Sequence, residues 1–501
     1  MSEQDPFKIV IAGGGTAGWM AASLLARFSP AHFRIELVES ETIGTVGVGE
    51  ATIPQIRHFN QALGIDESDF LRETKGSFKL GIAFDGWMGE GHSYMHAFGQ
   101  VGRGAGLLPF HQHWLRAKTL GHARPLKHYS LNEIAARALR MPAPGGQELP
   151  YAYHFDAGLY AAYLRRMAEA RGVIRTEGLI RNVERDGESG DITALALEGD
   201  RRVEGDFFID CTGFKGLLID GAMESGFDDW SHWLPCDRAV AVPCTSGGDF
   251  TPYTRSIARE AGWQWRIPLQ HRIGNGYVFS SAHISEDQAT NTLLANLDGE
   301  ADGDPRVLKF TTGKRRRQWV GNCVALGLAA GFMEPLESTS IHLVQSALAR
   351  VLQLLPSGQP DPALIDHFND QADFEWTRIR DFLVLHYWAN GREGEPFWDA
   401  MRALDLPDTL AAKVDQWRAG GHIHREHEEL FTEVAWFQVL AGQGIEAERY
   451  NPLADAVPEK DLVGLLASTE EQMVRAANAM PQHVQVLGKM MSQAAQKENV
   501  A

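Results

Sequence analysis

Cysteine is scarce in this chain of 501 residues: Cys211, Cys236, Cys244 and Cys323 are scattered and form no C-x-x-C pair. Their spacing suits neither a zinc site nor a disulfide framework, and no metal is expected. Positive charge is short as well. Lys and Arg number 47 against 65 Asp and Glu, a net charge of -18. That argues against a nucleic-acid partner, because phosphate contacts need clustered Lys and Arg. The one basic run, Lys314-Arg315-Arg316-Arg317, is expected to be a solvated turn between strands. No apolar run approaches the roughly 20 residues that a membrane span needs. Met1 to Phe7 are polar and acidic rather than a secretory leader, so a cytoplasmic protein is expected. Internal repeats and low-complexity tracts are absent too.

What is present is an ordinary globular composition, 44% hydrophobic and 22% charged, with length for about two to four domain-sized units. Lys8 to Ala12 reads as a short buried strand, Thr16 to Phe28 as a helix and Phe33 to Glu39 as a second strand. Residues 44 to 54 form a glycine-bearing loop. Residues 95 to 150 carry many Gly and Pro and are expected to be long excursions. Leu159 to Arg171 is helical, and Gly178 to Phe208 reads as strands turning at Asp186-Gly187 and Gly199-Asp200. Beyond Pro335 the pattern becomes helical, beginning with Ile341, Val344, Leu348, Val351 and Leu355 at helical spacing. The expected fold class is α/β: a βαβ module with an interleaved substrate region over residues 1–350, then a mainly helical part over 351–501.

Gly13-x-Gly15-x-x-Gly18 sits between the first strand and the first helix. Gly13 permits the tight turn, Gly15 lets a pyrophosphate reach the backbone, and Gly18 lets helix and strand pack closely. Gly14, Thr16 and Ala17 complete the turn, and the helix N-terminus offers its N–H groups to the anion. Glu39 ends the second strand, placed for a ribose hydroxyl. An unrelated glycine-rich turn is the plainer alternative, and the flanking strand, helix and acid outweigh it.

Three further stretches carry chemistry. Trp263-Gln264-Trp265-Arg266-Ile267-Pro268 alternates its apolar residues, so in a strand Trp263, Trp265 and Ile267 share one face, and Pro268 ends the ladder. Taken singly it reads as a core strand. Lys79 in Ser77-Phe78-Lys79-Leu80 has apolar and small neighbours that suggest partial burial, which makes a lysine chemically useful. A surface lysine is the plainer expectation, and Lys75 competes for the role. Glu337-Ser338-Thr339-Ser340 precedes an amphipathic helix whose N-terminus can hold a small anion. Ordinary capping is the plainer expectation there.

Together these stretches resemble the flavin-dependent halogenases of the tryptophan halogenase family, and an indole-brominating member fits. The matches run from Gly13 to about Gln438. The resemblance implies FAD bound in a module of the flavin monooxygenase type. The Val46-to-Pro54 loop, with Gly49, Glu50 and Ala51, would run along the flavin, and Asp210-Cys211-Thr212-Gly213-Phe214 resembles a late strand of FAD-binding proteins. Val183, Leu328 and Ile341 join the cofactor-binding set. Lys79 matches the essential lysine, and Glu337 the carboxylate that assists it by stabilising the cationic intermediate or taking its proton. Thr339 and Ser340 would hold chloride or bromide, with Ser340 standing where glycine is usual. The tryptophans Trp263 and Trp265 would separate the flavin side from the substrate side. His96-Ala97-Phe98 resembles a His-Pro-Phe segment facing the substrate, with Ala97 in place of the proline. Trp436 is a weaker substrate-side candidate, which leaves free tryptophan in doubt beside indole or a larger indole-bearing molecule.

The implied activity is oxidation of halide by oxygen and reduced FAD to hypohalous acid, which travels to Lys79 and halogenates an electron-rich arene at a Lys79/Glu337 site. No second G-x-G-x-x-G occurs, so reduced flavin would come from a separate NADH-dependent reductase. A small aromatic substrate is the other partner, and a homodimer is left open. Two alternatives stand beside this reading. One is an FAD-dependent aromatic monooxygenase, against which the Trp pair and Lys79 speak. The other is a flavin-binding protein without catalysis.

Overall fold

A computed structural model describes residues 6–43, 49–246 and 250–498. Met1 to Asp5 and Val46, Gly47 and Val48 of the glycine-bearing loop lie outside the described residues. The described chain forms two compact units, one of residues 1–76, 155–237 and 309–376, the other of 77–154, 238–308 and 377–501. The α/β class holds, with parallel strands in the first unit and helices dominating the C-terminal region. Among the described residues no helix is long and apolar enough to cross a membrane.

The first unit is built on a six-stranded sheet in the order Trp319–Val320, Cys323–Ala325, Phe207–Asp210, Phe7–Ala12, Phe33–Glu39, Ile174–Glu177. All neighbours run parallel except the first pair. Phe7–Ala12 is central and almost wholly buried, which is why it reads as a continuous apolar run rather than an alternating one. The helix Thr16–Phe28 packs beside Ala157–Ala170, where Ser23 Oγ donates to the Leu164 carbonyl at 3.1 Å.

The basic run corrects its expectation. Lys314 and Arg315 lie in the strand Gly313–Arg315 and are buried. Lys314 pairs with Asp228 at 3.3 Å and Asp373 at 2.8 Å, and Arg315 with Asp220 at 2.7 Å. Their acids come from distant parts of the chain, which is why a run of four cations looked solvated. Only Arg316 and Arg317 remain exposed.

The second unit holds a seven-stranded sheet in the order Arg306–Lys309, Arg238–Ala241, Ile273–Phe279, Gly262–Pro268, Thr254–Arg259, Gly81–Asp85, Ser93–Ala97. The tryptophan strand, Gly262–Pro268, is central and buried at every residue. Helices Pro396–Arg402, Asp408–Gly420, Glu433–Gly442, Glu459–Ala479 and His483–Glu498 also belong to the unit.

Residues 95–150 are more ordered than their Gly and Pro content suggests, containing the helices Phe110–Thr119 and Leu131–Arg137. Pro109 occupies the N-cap with φ −67° and ψ 160°, and Gly121 follows the helix end with φ +79°. Both residues delimit the helix and neither interrupts it.

This unit buries three histidines whose pKa values fall. Burial pushes His483 and His111 down to about 4, only partly offset by bonds to the carbonyls of Phe250 and Gly421. Burial, then the charges of Lys79 and Arg266, pushes His154 well below its usual value. The unfolded chain therefore binds more protons than the folded one below about pH 6.5. Stability is complete above that pH and falls as pH drops toward 4, by about 3 kcal/mol for each histidine whose folded pKa is near 4. Urea unfolding at pH 7.5 and pH 5 should show a clearly lower midpoint in acid; equal midpoints would contradict the burial of these neutral rings.

Candidate active site

The glycine turn of the first unit is shaped by close approaches. Gly13 has φ +108°, and a Cβ there would lie 2.2 Å from the Cys211 carbonyl oxygen; one on Gly18 would lie 1.9 Å from the Gly13 carbonyl oxygen. Gly14 backs onto the Glu39 carboxylate. Gly15 has nothing within 4 Å of where its Cβ would be. It is also the N-cap of Thr16–Phe28, which has no side-chain cap and no acid in its first turn. An open side, bare amides and the positive end of the helix fit a pyrophosphate. Thr16 Oγ1 donates to the Ala157 carbonyl at 3.3 Å, and Ala17 packs on Gly327, beginning the single turn Gly327–Ala329 that carries Leu328.

Glu39 reaches this turn but is already engaged. Its Oε1 accepts from Arg175 Nε at 2.5 Å, with Arg165 at 3.6 Å. Arg175 went unseen in the sequence because its strand is 136 residues away. Asp210 shapes the opposite wall. Its carboxylate accepts from the N–H groups of Thr212, Leu218 and Ile219 at 2.8 Å each and from the Thr212 hydroxyl at 2.6 Å. Burial pushes the Asp210 carboxyl up, and those bonds pull it back. Glu50 sits on the short strand Gly49–Ala51, where burial pushes its carboxyl up to about 7. Val183 lies on Ile180–Arg185, paired with Leu195 in a separate three-stranded sheet.

The Glu337 segment also belongs to the first unit. Pro335–Glu337 is a single turn, Ser338 takes φ +59°, and the helix Ser340–Gln353 follows. A positive φ on serine costs of order 1 kcal/mol and marks a conformation imposed by its surroundings. Glu334, Glu337, Ser338 and Thr339 are all buried. Thr339 is the N-cap, yet neither its side chain nor an acid in the first turn covers the helix end. Ile341, one residue in, is buried.

This helix is clamped by a residue the sequence did not single out. Glu375 accepts from His342 Nε2 at 3.0 Å, Ser346 Oγ at 2.8 Å and Arg350 Nη2 at 2.6 Å. Three residues spaced by four share one face, so a single carboxylate grips three turns. Burial raises the Glu375 pKa, but the His342 bond and the Arg350 charge outweigh it and hold it at about 2.

The second unit carries Lys79 and the aromatic residues. Lys79 ends the strand Ser77–Lys79, paired with Ala152, and is 0% exposed, more buried than its neighbours implied. Its Nζ stands 5.4 Å from the centre of the Phe98 ring, a cation–π contact in a desolvated setting. Around it, Ser77 Oγ donates to the Pro268 carbonyl at 2.7 Å, and His154 bridges Ser77 at 3.1 Å to Thr254 at 3.0 Å. His483 accepts from the Phe78 N–H at 3.4 Å.

Trp263 and Trp265 do share a face, with ring centres 6.2 Å apart. Gly276 on the adjacent strand has no side chain where the Trp265 ring sits; a Cβ there would be 2.1 Å from it. The opposite face is polar but also covered: Gln264 accepts from Arg259 at 2.6 Å, and Arg266 pairs with Asp298.

His96 and Trp436 meet through a cluster absent from the sequence reading. His96 packs edge-on to Phe382 at 5.6 Å, Phe382 stacks on Phe431 at 3.8 Å, and Trp436 meets Phe382 at 4.8 Å. Lys413 Nζ lies 5.2 Å from the Trp436 ring centre. Ala97 has a use for the amide that proline would lack. Its N–H donates to Gln438 Oε1 and its carbonyl accepts from Gln438 Nε2, both at 3.1 Å.

The structure thus assembles the glycine turn with Glu39 and the Leu328 turn, Lys79 with Phe98, and His96 with Trp436. Lys79 belongs to one unit and Glu337 to the other.

Comparison with known proteins completes the picture. The sequence profile of a family described as tryptophan halogenase matches residues 8–459. The tryptophan 7-halogenase of Lentzea aerocolonigenes is 36% identical over 494 residues, spanning 90% of this chain and 92% of that protein. The solved structure of a flavin-dependent halogenase from Xanthomonas campestris is 45% identical with a TM-score of 0.95, covering 97% of this chain and 99% of the other. A flavin-dependent halogenase from a Brevundimonas species gives 42% identity and a TM-score of 0.92, covering 96% and 99%.

Proposed function

Given that the chain belongs to the tryptophan halogenase family and is a flavin-dependent halogenase, we propose that it halogenates an electron-rich arene, indole or an indole-bearing molecule, with Lys79 delivering the halogen. The observation that carries this is the burial of Lys79 with its ammonium over Phe98. Burying a lysine is costly, and such residues cluster at functional sites.

Reduced FAD and oxygen supply the oxidising power that converts chloride or bromide to hypohalous acid. The chain's own residues divide the remaining work. The N–H groups of Gly15 to Gly18 would hold the pyrophosphate, that of Gly13 being spent on the Val38 carbonyl. Glu39, with Arg175 fixing one oxygen, would offer the other to the ribose, and Gly49, Glu50, Ala51, Val183, Leu328 and Ile341 would line the cofactor. The backbone N–H groups at Thr339 and Ser340 bind the halide, the Ser340 side chain trimming its room. Trp263 and Trp265 keep oxidant and arene apart. The Lys79 ammonium donates to the hypohalous oxygen, so that halogen passes to the arene carbon and the oxygen leaves as water. Glu337 takes the proton lost from that carbon. His96, Phe98 and Trp436 face the arene. A separate NADH-dependent reductase provides the reduced flavin.

The test combines the protein with FAD, a flavin reductase, NADH, oxygen, bromide or chloride and indole. A halogen isotope pattern in the product mass is expected. No halogenated product from indole, phenol or pyrrole would overturn the reading.

A further inference from the structure

We propose that the hydrogen-bonded chain Thr254–His154–Ser77–Pro268 is a positioning device for Lys79, setting where its ammonium stands during halogen transfer. The proposal rests on the role given to Lys79 above. The geometry forces the placement of the protons. The Pro268 carbonyl can only accept, so the Ser77 hydroxyl donates to it at 2.7 Å. Ser77 Oγ then accepts from His154, at 3.1 Å, which puts the ring proton on Nδ1. Nε2 keeps its lone pair and accepts from the Thr254 hydroxyl at 3.0 Å. Every link has one donor and one acceptor, and only one tautomer of a neutral ring satisfies both ends.

The chain joins four segments. Ser77 is on the lysine strand and His154 is opposite it on Ala152–Asp156. Thr254 opens the strand beside the tryptophan strand, and Pro268 ends the tryptophan strand itself. Ser77 and Lys79 are two residues apart on one strand, so their side chains point to the same face. A turn of Ser77 about its strand is a turn of Lys79. His483 adds a second brace at the intervening residue: Nε2 accepts from the Phe78 N–H at 3.4 Å, and Nδ1 donates to the Phe250 carbonyl at 3.3 Å.

Stability alone does not require this arrangement. Ser77, His154 and Thr254 are all buried, and replacing paired polar groups by apolar ones of like shape is close to neutral. What a fully satisfied buried network adds is a single arrangement. Burial, then the charges of Lys79 and Arg266, keep His154 neutral, so the donors and acceptors stay as assigned.

The experiment uses the full-length protein with FAD, reductase, bromide and indole, and reads bromoindole formed per oxygen consumed. Hypobromite escaping into solution is captured by a soluble diketone trap. Thr254→Val keeps shape and removes the donor to His154, and Ser77→Ala breaks the chain at its other end. Product per oxygen should fall roughly tenfold or more in each, since small misplacements of a reacting group carry penalties of that size, and trapped hypobromite should rise in step. Thr254→Ser retains the hydroxyl and should retain the wild-type ratio. A purely structural role would lower product and oxygen uptake together and leave the ratio alone. A ratio within about twofold of wild type in both folded variants overturns the proposal, as does failure of both to fold, which would make the chain structural. Absence of bromoindole from the wild type would overturn the halogenase reading itself, a different outcome.

Discussion

Lys79→Ala should lower halogenation of indole by about a thousandfold, the scale on which a single group acting on the transferred atom contributes. Oxygen consumption by reduced flavin should continue, because Lys79 is proposed to act on the halogenating species only after it has formed. The side chain is wholly buried, with its charge set over Phe98. Away from water, each hydrogen bond it donates is stronger than it would be at the surface. Removing it also leaves a hole, so Lys79→Met serves as a partner variant that keeps the volume and loses the charge. Both variants should show the same loss by product mass spectrometry. Retention of halogenation in the methionine variant would remove Lys79 from the chemistry.

The second large effect is expected at Gly18. An alanine Cβ there would lie 1.9 Å from the Gly13 carbonyl oxygen, a backbone atom that cannot swing aside. Relief requires opening the turn that Gly13 closes against Cys211. Overpacking of this kind costs about 1–3 kcal/mol, so FAD affinity should fall by roughly tenfold to a hundredfold, and thermal stability should fall with it. Gly15→Ala provides the contrast. Its φ of −72° suits any residue and nothing lies within 4 Å of its Cβ. The protein without FAD should therefore keep its melting temperature while FAD binding weakens, because the added methyl meets only the ligand. Flavin titration and thermal unfolding together read both effects. Normal FAD binding by the Gly18→Ala protein would show that the glycine turn does not hold the pyrophosphate.

Legibility in the sequence followed the range of the physics. The helix Thr16–Phe28 and the strand Phe33–Glu39 coincide with the segments expected, since period, capping and glycine punctuation act within a few residues. Pro109 and Gly121 misled because the same residues that break a helix also delimit one. Lys314 and Arg315 misled because their acids, Asp220, Asp228 and Asp373, lie 59 to 95 residues away. Arg175, His154, Gln438 and Glu375 carried no local signal at all. Each matters through one partner brought near by folding.

The sequence by itself determined the family and the glycine turn, and singled out Lys79 and Glu337 as the pair proposed for the chemistry, because those depend on residue type at short spacing. Only the tertiary structure decided that Lys79 is fully enclosed, that one carboxylate clamps the helix behind Thr339, and that a neutral histidine links the lysine strand to Thr254. Burial, charge pairing and proton placement depend on distances through space, and a one-dimensional pattern does not contain them.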